Sequence, residues 1–158
     1  MNIFITSPNV KECATMLDDR RLVKMVTETA QMLSAALARH NAKPFYKTTH
    51  ANHPCTKWVG DTRANFFWTI FLLQELNQEY VRRYNKTVSH LAYAKAYDAC
   101  ISQVCKIPDG KLTPFPNCSL FKDEQNVFEA YKKTMIVKWS EFKCPPRWTQ
   151  TIKPRWAQ

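Results

Sequence analysis

Apolar positions recur at helical spacing between Leu17 and His40. Leu22, Met25, Val26, Thr29, Leu33, Ala36 and Leu37 fall on one stripe. Arg20, Lys24, Thr27 and Gln31 fall on the opposite face, with Arg21 and Glu28 beside them. Residues three and four apart share a helix face, so this pattern predicts a long amphipathic helix. Asp18 and Asp19 lie early in it, where the helix dipole favours negative charge, and Pro44 ends any continuation.

A second long helix is predicted over Asp61 to Tyr84, with Phe67, Ile70, Phe71, Leu73, Leu76, Tyr80 and Val81 as its core residues. Its end is basic, at Arg82, Arg83 and Lys86, as the dipole prefers. Ser89 to Cys105 and Glu124 to Phe142 read as two further helices. Asn2-Ile3-Phe4-Ile5-Thr6 is a β-prone piece, expected as a short strand or an extended arm. Ser7-Pro8 reads as an N-cap with proline at the first helical position, opening a short helix through about Met16.

Lys47 to Thr56 is a polar loop, Trp58 follows on a short helix, and Ile107 to Ser119 is an irregular loop holding Pro108, Pro114 and Pro116. The expectation is an all-α fold: one compact helical domain over residues 1–158, with a Pro- and Trp-rich tail at 144–158 packed on it or partly mobile. With only two glycines in 158 residues, tight hairpins and phosphate-cradling loops have little material.

Charge turns the reading toward function. There are 23 Lys plus Arg against 13 Asp plus Glu, a formal net charge of +10. The cations are dispersed along the chain, which suits a basic face that attracts a polyanion. Nucleic acid, in the first instance DNA, is the expected partner, with a monomer as the default state. No apolar run is long enough for a membrane span, since Ala64 to Leu76 is short and interrupted by Asn65 and Gln74. The N-terminus lacks a signal-peptide layout, so a cytoplasmic setting and six reduced cysteines are expected. No CxxC pair, HExxH, P-loop or dinucleotide-binding glycine pattern is present, and neither a metal nor a cofactor is expected.

Glu28 is the foremost candidate for chemistry. A carboxylate among cations can take a proton or stabilise a developing positive charge; its plainer reading is an exposed ion pair with Lys24. His50, Asn52 and His53 lie in the polar loop and suit contacts to phosphate or base. Arg147-Trp148 and Arg155-Trp156 each set a cation beside a flat ring. Such pairs can grip a phosphate and stack on an unpaired base, or can pack the tail across the domain.

Two resemblances follow from these residues. Asn2-Ile3-Phe4, the Asp18 to Gln31 segment, His50-Ala51-Asn52-His53-Pro54, Thr56 with Trp58, Asn65, and Thr113-Pro114-Phe115-Pro116 resemble a family of small phage proteins. That resemblance implies a phage setting in an infected bacterial host and brings no activity. The arrangement of Asp19, Arg21, Leu22 and Glu28 is similar to the first catalytic helix of the phage pyrimidine-dimer DNA glycosylases, whose catalytic glutamate matches Glu28. Ala64 to Arg83 resembles a long aromatic-to-basic helix of those enzymes, and Trp148 and Trp156 echo their C-terminal tail.

This second resemblance implies base release from damaged DNA, with or without strand cleavage, through an α-amine that attacks the sugar C1′. The amine of Asn2 would serve if Met1 is removed. Asn at position 2 is a poor context for that removal, which leaves the amine of Met1 as the alternative. Arg21 stands where those enzymes carry histidine, and Gln31 where they carry arginine. The implied catalytic set is Glu28, Met1 and Asn2. Arg20, Arg21, Lys24, Arg82 and Arg83 would hold phosphates, and Gln31, His50, Asn52, His53, Asn65 and Trp148 would complete the substrate contacts. Two other readings stay open: a nucleic-acid-binding protein without catalysis, and an enzyme acting on a free modified nucleotide or base.

Overall fold

The computed structural model describes residues 1–157 and shows six α-helices, with no strand among those residues. They are α1 (Val10–Met16), α2 (Asp19–Arg39), α3 (Pro54–Asp61), α4 (Arg63–Arg83), α5 (Leu91–Gln103) and α6 (Val127–Ser140). A side chain caps the N-terminus of each: Asn9, Asp18, His53, Thr62, His90 and Asn126 in turn. A cap of this kind is worth about 1 kcal/mol, because it satisfies an N–H that the helix itself cannot.

The caps correct several boundaries. Asn9, not Ser7, opens α1, and the Ser7 hydroxyl accepts the Asn9 N–H at 3.1 Å instead. Asp18 caps α2 from outside its first turn. α5 begins after His90 and α6 after Asn126, each later than hydrophobic spacing alone suggests. Residues 1–6 form an irregular arm. Phe4 breaks any strand geometry with a φ of 51°, and the Asn2 side chain accepts the N–H groups of Ile3 and Phe4 at 2.7 and 3.2 Å.

α2 is the centre of the molecule and packs on α3, α4 and α5, while α1 lies on α4. Leu22, Met25, Val26, Met32, Leu33 and Leu37 are all buried, together with Ile3 and Ile5 of the arm. Each such side chain contributes about 1.5–3 kcal/mol. Gly60 lets α3 approach α2, since a Cβ there would stand 3.2 Å from the Ala36 Cβ. Phe71 departs from the expected core stripe. It is half-exposed and stacks on Phe67 at the surface. Among the described residues no helix is long and apolar enough to cross a membrane.

Polar groups tie the elements together. Arg83 is fully buried; it donates to Glu79 at 2.7 Å, to the Leu17 and Thr15 carbonyls at 2.7 and 2.9 Å, and to Asp19 at 3.2 Å. It thereby finishes the carbonyl end of α1 and fastens the start of α2 to α4. The tail closes the other side. Trp139 stacks on Trp156, meets Trp148 edge-on and donates to Asp18 at 2.7 Å.

Burial pushes the Glu79 carboxyl up, but hydrogen bonds and charge from Arg82 and Arg83 outweigh it and hold the group below its ordinary 4.5. A carboxylate depressed on folding adds stability above its unfolded value, and loses it as pH falls through the folded one. Urea midpoints are therefore expected to fall as the pH drops below about 4.5. Glu79→Gln is expected to be less stable at neutral pH and to show a shallower fall.

Candidate active site

The start of the chain meets the middle of α2. The Asn2 backbone N–H donates to Glu28 Oε2 at 3.1 Å, and Lys24 Nζ stands 3.2 Å from Glu28 Oε1. The Glu28 side chain is 14% exposed whereas that of Lys24 is 68% exposed. The plain surface ion pair is therefore only half of the arrangement. The carboxylate is pinned between an exposed cation and a backbone donor of the arm. Helical spacing sets the first contact; only tertiary folding supplies the second.

The arm is held firmly enough to place that donor. Asn2 Nδ2 donates to the Cys118 carbonyl at 3.1 Å, and the Thr56 hydroxyl lies 3.6 Å from the Met1 sulfur. Phe4 rests edge-on to Tyr131 in its left-handed conformation. A bulky residue with positive φ costs on the order of 1–3 kcal/mol, and such strain collects where a site demands a particular shape. His50, with a φ of 53°, is the second such residue near this point. Asn41 and Asn85 adopt the same conformation just past α2 and α4, where Asn tolerates it.

Two hollows flank Glu28 along α2. A cleft of about 300 Å³ is lined by Arg20, Arg21, Lys24 and Lys138, with Phe4 and Phe142 as its aromatic walls. The Arg20 and Arg21 guanidiniums lie 4.9 and 4.6 Å from the Phe142 ring centre. Toward the other end of α2, a cavity of about 430 Å³ is bounded by Ala35, Ala38 and Arg39, by Thr48 and Asn52 of the loop, and by Thr56 of α3. Both are within the size range of small-ligand pockets, roughly 300–1,000 Å³. The first gathers four cations around two aromatic rings, and the second has an alanine-rich wall with Arg39 and Lys57 on its border.

The loop joins the arm at His53. Burial lowers the affinity of its imidazole for a proton, and the charges of the Met1 amine, His50 and Lys122 act in the same direction, with Glu28 opposing. Both effects favour the neutral imidazole, and its Nδ1 accepts the Cys55 N–H at 3.2 Å. Cys55 is buried and Cys118 half-buried beside it. A contact from Cys55 brings the Cys118 thiol down to about 6 against the opposing effect of burial, with Lys122 assisting. The same contact and burial push Cys55 up.

The residues singled out by sequence divide into two groups. Met1, Asn2, Lys24, Glu28 and His53 converge, with Arg20 and Arg21 in the adjoining cleft and Asn52 in the cavity. Arg21 lines that cleft while bonded to Asp18 at 2.7 Å. Gln31 is partly exposed on α2 between the two hollows. Four others serve the fold. Arg83 is spent on α1 and Glu79, and Arg82 on Glu79 and the Gln150 carbonyl at 2.6 Å. Asn65 is buried, donating to the Trp58 carbonyl and the Thr113 hydroxyl, both at 2.8 Å. Trp148 donates to the Met16 carbonyl at 3.2 Å and packs on Trp139.

Sequence reasoning passed over Phe4, Thr56, Lys122, Lys138, Phe142 and the pair Cys55 and Cys118. These residues come from the arm, the start of α3, the loop before α6 and the end of α6, and no local spacing joins those four places. Lys138 and Phe142 carried a weak signal, being four apart at the end of a predicted helix.

Comparison with protein families matches residues 1–91 to the family described as pyrimidine dimer DNA glycosylase. No curated protein and no solved structure matches the chain. The matched stretch holds the arm, α1 through α4, Glu28 and the His50–His53 loop; Cys118, Lys122, α6 and the tail lie outside it. With more than half of its residues inside that match, the chain belongs to the pyrimidine dimer DNA glycosylase family.

Proposed function

We propose that this protein is a DNA glycosylase that cuts the glycosidic bond of dimerised or otherwise modified pyrimidines, with Glu28 and the N-terminal amine as its reacting groups. The observation that carries the reading is the 3.1 Å bond from the Asn2 nitrogen to Glu28. If Met1 is removed, that nitrogen becomes the α-amine itself. If Met1 stays, the amine stands one residue further along the arm. The amine nitrogen bonds to C1′ while the bond from C1′ to the base breaks, and the bonding electrons leave with the base, which is then protonated. The amine gives up a proton, and Glu28 accepts it or balances the positive charge on the sugar.

DNA would lie along the exposed face of α2. The cations of the Arg20–Lys138 cleft suit phosphates, and the cavity beside Asn52, with its alanine wall and polar border, suits a base that has left the stack. Phosphate contacts give salt-dependent binding whatever the sequence, each worth about 0.9 in the slope of log K against log salt. Arg20→Ala combined with Lys138→Ala is expected to lower that slope by about 1.8, measured by anisotropy on duplex DNA. The same slope in wild type and double variant would show that this cleft does not hold the backbone.

The activity itself is tested on ultraviolet-irradiated duplex DNA, with unirradiated DNA as the control. Glycosidic cleavage in the irradiated duplex alone is the expected result, read as abasic sites or strand breaks at dimers, or as free base after photoreversal, because the cyclobutane ring otherwise keeps the cleaved base joined to its neighbour. Binding without release would favour a non-catalytic nucleic-acid-binding role, and tighter binding of mononucleotides than of duplex would favour a free-nucleotide substrate.

A further inference from the structure

We infer that His53, Cys55 and Cys118 form a binding site for one zinc-class divalent ion, a role independent of base release. One ligand atom from each residue lies within 4.8 Å of those from the other two. They come from separate places: His53 caps α3, Cys55 sits in its first turn, and Cys118 belongs to the proline-containing loop before α6. Cys55 is buried and Cys118 half-buried. Here folding brings two thiols and an imidazole to one point beside the arm.

The donor set selects the metal. Thiolate and imidazole suit zinc and its soft neighbours, and magnesium and calcium need oxygen. Zinc takes sulfur at about 2.3 Å and nitrogen at about 2.0 Å in a tetrahedron. Those lengths separate neighbouring ligand atoms by roughly 3.5–3.8 Å. The 4.8 Å bound on their separation exceeds that value by about an ångström, which binding would close by side-chain rotation. Coordination through His53 Nδ1 exchanges the Cys55 N–H contact for a metal bond.

The surroundings give the site a fixed frame. Cys55 lies in the first turn of α3, at the positive end of its dipole. The Tyr131 hydroxyl accepts the Cys118 N–H at 3.1 Å, donates to the Pro116 carbonyl at 2.9 Å, and lies 3.9 Å from the Cys55 sulfur. Asn2 Nδ2 holds the Cys118 carbonyl. Such outer contacts orient metal ligands. Three protein ligands leave a fourth position for water or an anion. The bound ion would fasten the head of α3 to the loop that grips Asn2.

The test is titration of the reduced full chain with Co²⁺, followed by Zn²⁺. One equivalent of Co²⁺ is expected to give a thiolate-to-cobalt charge-transfer band and the strong visible bands of tetrahedral cobalt, and Zn²⁺ is expected to erase both. Cys118→Ser, a change at a half-buried position, is expected to abolish the charge-transfer band, as is Cys55→Ser. Cys105→Ser and Cys144→Ser, at exposed thiols, are expected to keep it. No charge-transfer band in excess Co²⁺, or a band that persists unchanged in Cys118→Ser, would overturn the site. The readout is the absorption of the protein alone, so its failure and a failure of base release are separate results.

Discussion

Glu28→Gln is expected to lower the single-turnover rate of base release by roughly 10²–10⁴-fold, the usual worth of a positioned acid or base. The substitution keeps the shape of the side chain and an oxygen to accept the Asn2 N–H. It removes the negative charge that would take the amine proton or face the cationic sugar. Fold stability is expected to change by no more than about 1 kcal/mol, because the amide fills the same largely enclosed position and still accepts the Asn2 N–H. Affinity for DNA is expected to hold or rise, because Lys24 loses its carboxylate partner and is freed for phosphate. Loss of rate with binding intact separates chemistry from docking. Glu28→Asp adds a second check. The shorter side chain keeps the charge but draws it back from the arm, and an intermediate rate is expected.

Arg83→Ala is expected to have the largest effect on stability, about 3–5 kcal/mol, the cost of removing one partner from a buried charged pair. At roughly 2–4 °C of Tm per kcal/mol for a chain of this size, the midpoint drops by about 6–20 °C. Glu79 would lose one partner, and the Thr15 and Leu17 carbonyls would lose theirs. Lysine at this position is expected to recover little, since a single ammonium cannot serve acceptors spread over α1, α2 and α4. Arg82→Ala is the contrast. Its side chain is 47% exposed, and the loss is expected to stay within about 1 kcal/mol. If Arg83→Ala instead leaves Tm unchanged and weakens DNA binding, the buried network described above is wrong and the phosphate role expected from sequence is right.

These two residues show what the chain reveals before folding. α2 and α4 are legible because their periodicity is strong and local, and Glu28 is legible because its neighbours at 20, 24 and 31 share its face. Arg83 misleads for the same reason. A cation at a helix C-terminus is favourable on local grounds alone, and nothing nearby announces that carbonyls of α1 will close over it. Asn65 and Trp148 are similar: each is a polar or aromatic group whose partner lies far along the chain. The arm is the sharpest instance. Its β-prone composition describes how readily residues 2–6 extend, whereas the bond from Asn2 to Glu28 and the turn at Phe4 are products of packing against α2 and α6. Cys55 and Cys118 carry no local motif, so their meeting with His53 emerges only in three dimensions.

The central claim is that the first residues and Glu28 form one reacting centre. Borohydride trapping during turnover on irradiated duplex DNA tests it most directly. The account predicts a covalent protein–DNA adduct that peptide mapping assigns to the α-amine of residue 1 or 2, and that is lost or strongly reduced in Glu28→Gln. Base release without any adduct, or an adduct mapped to a lysine side chain such as Lys24, would contradict it.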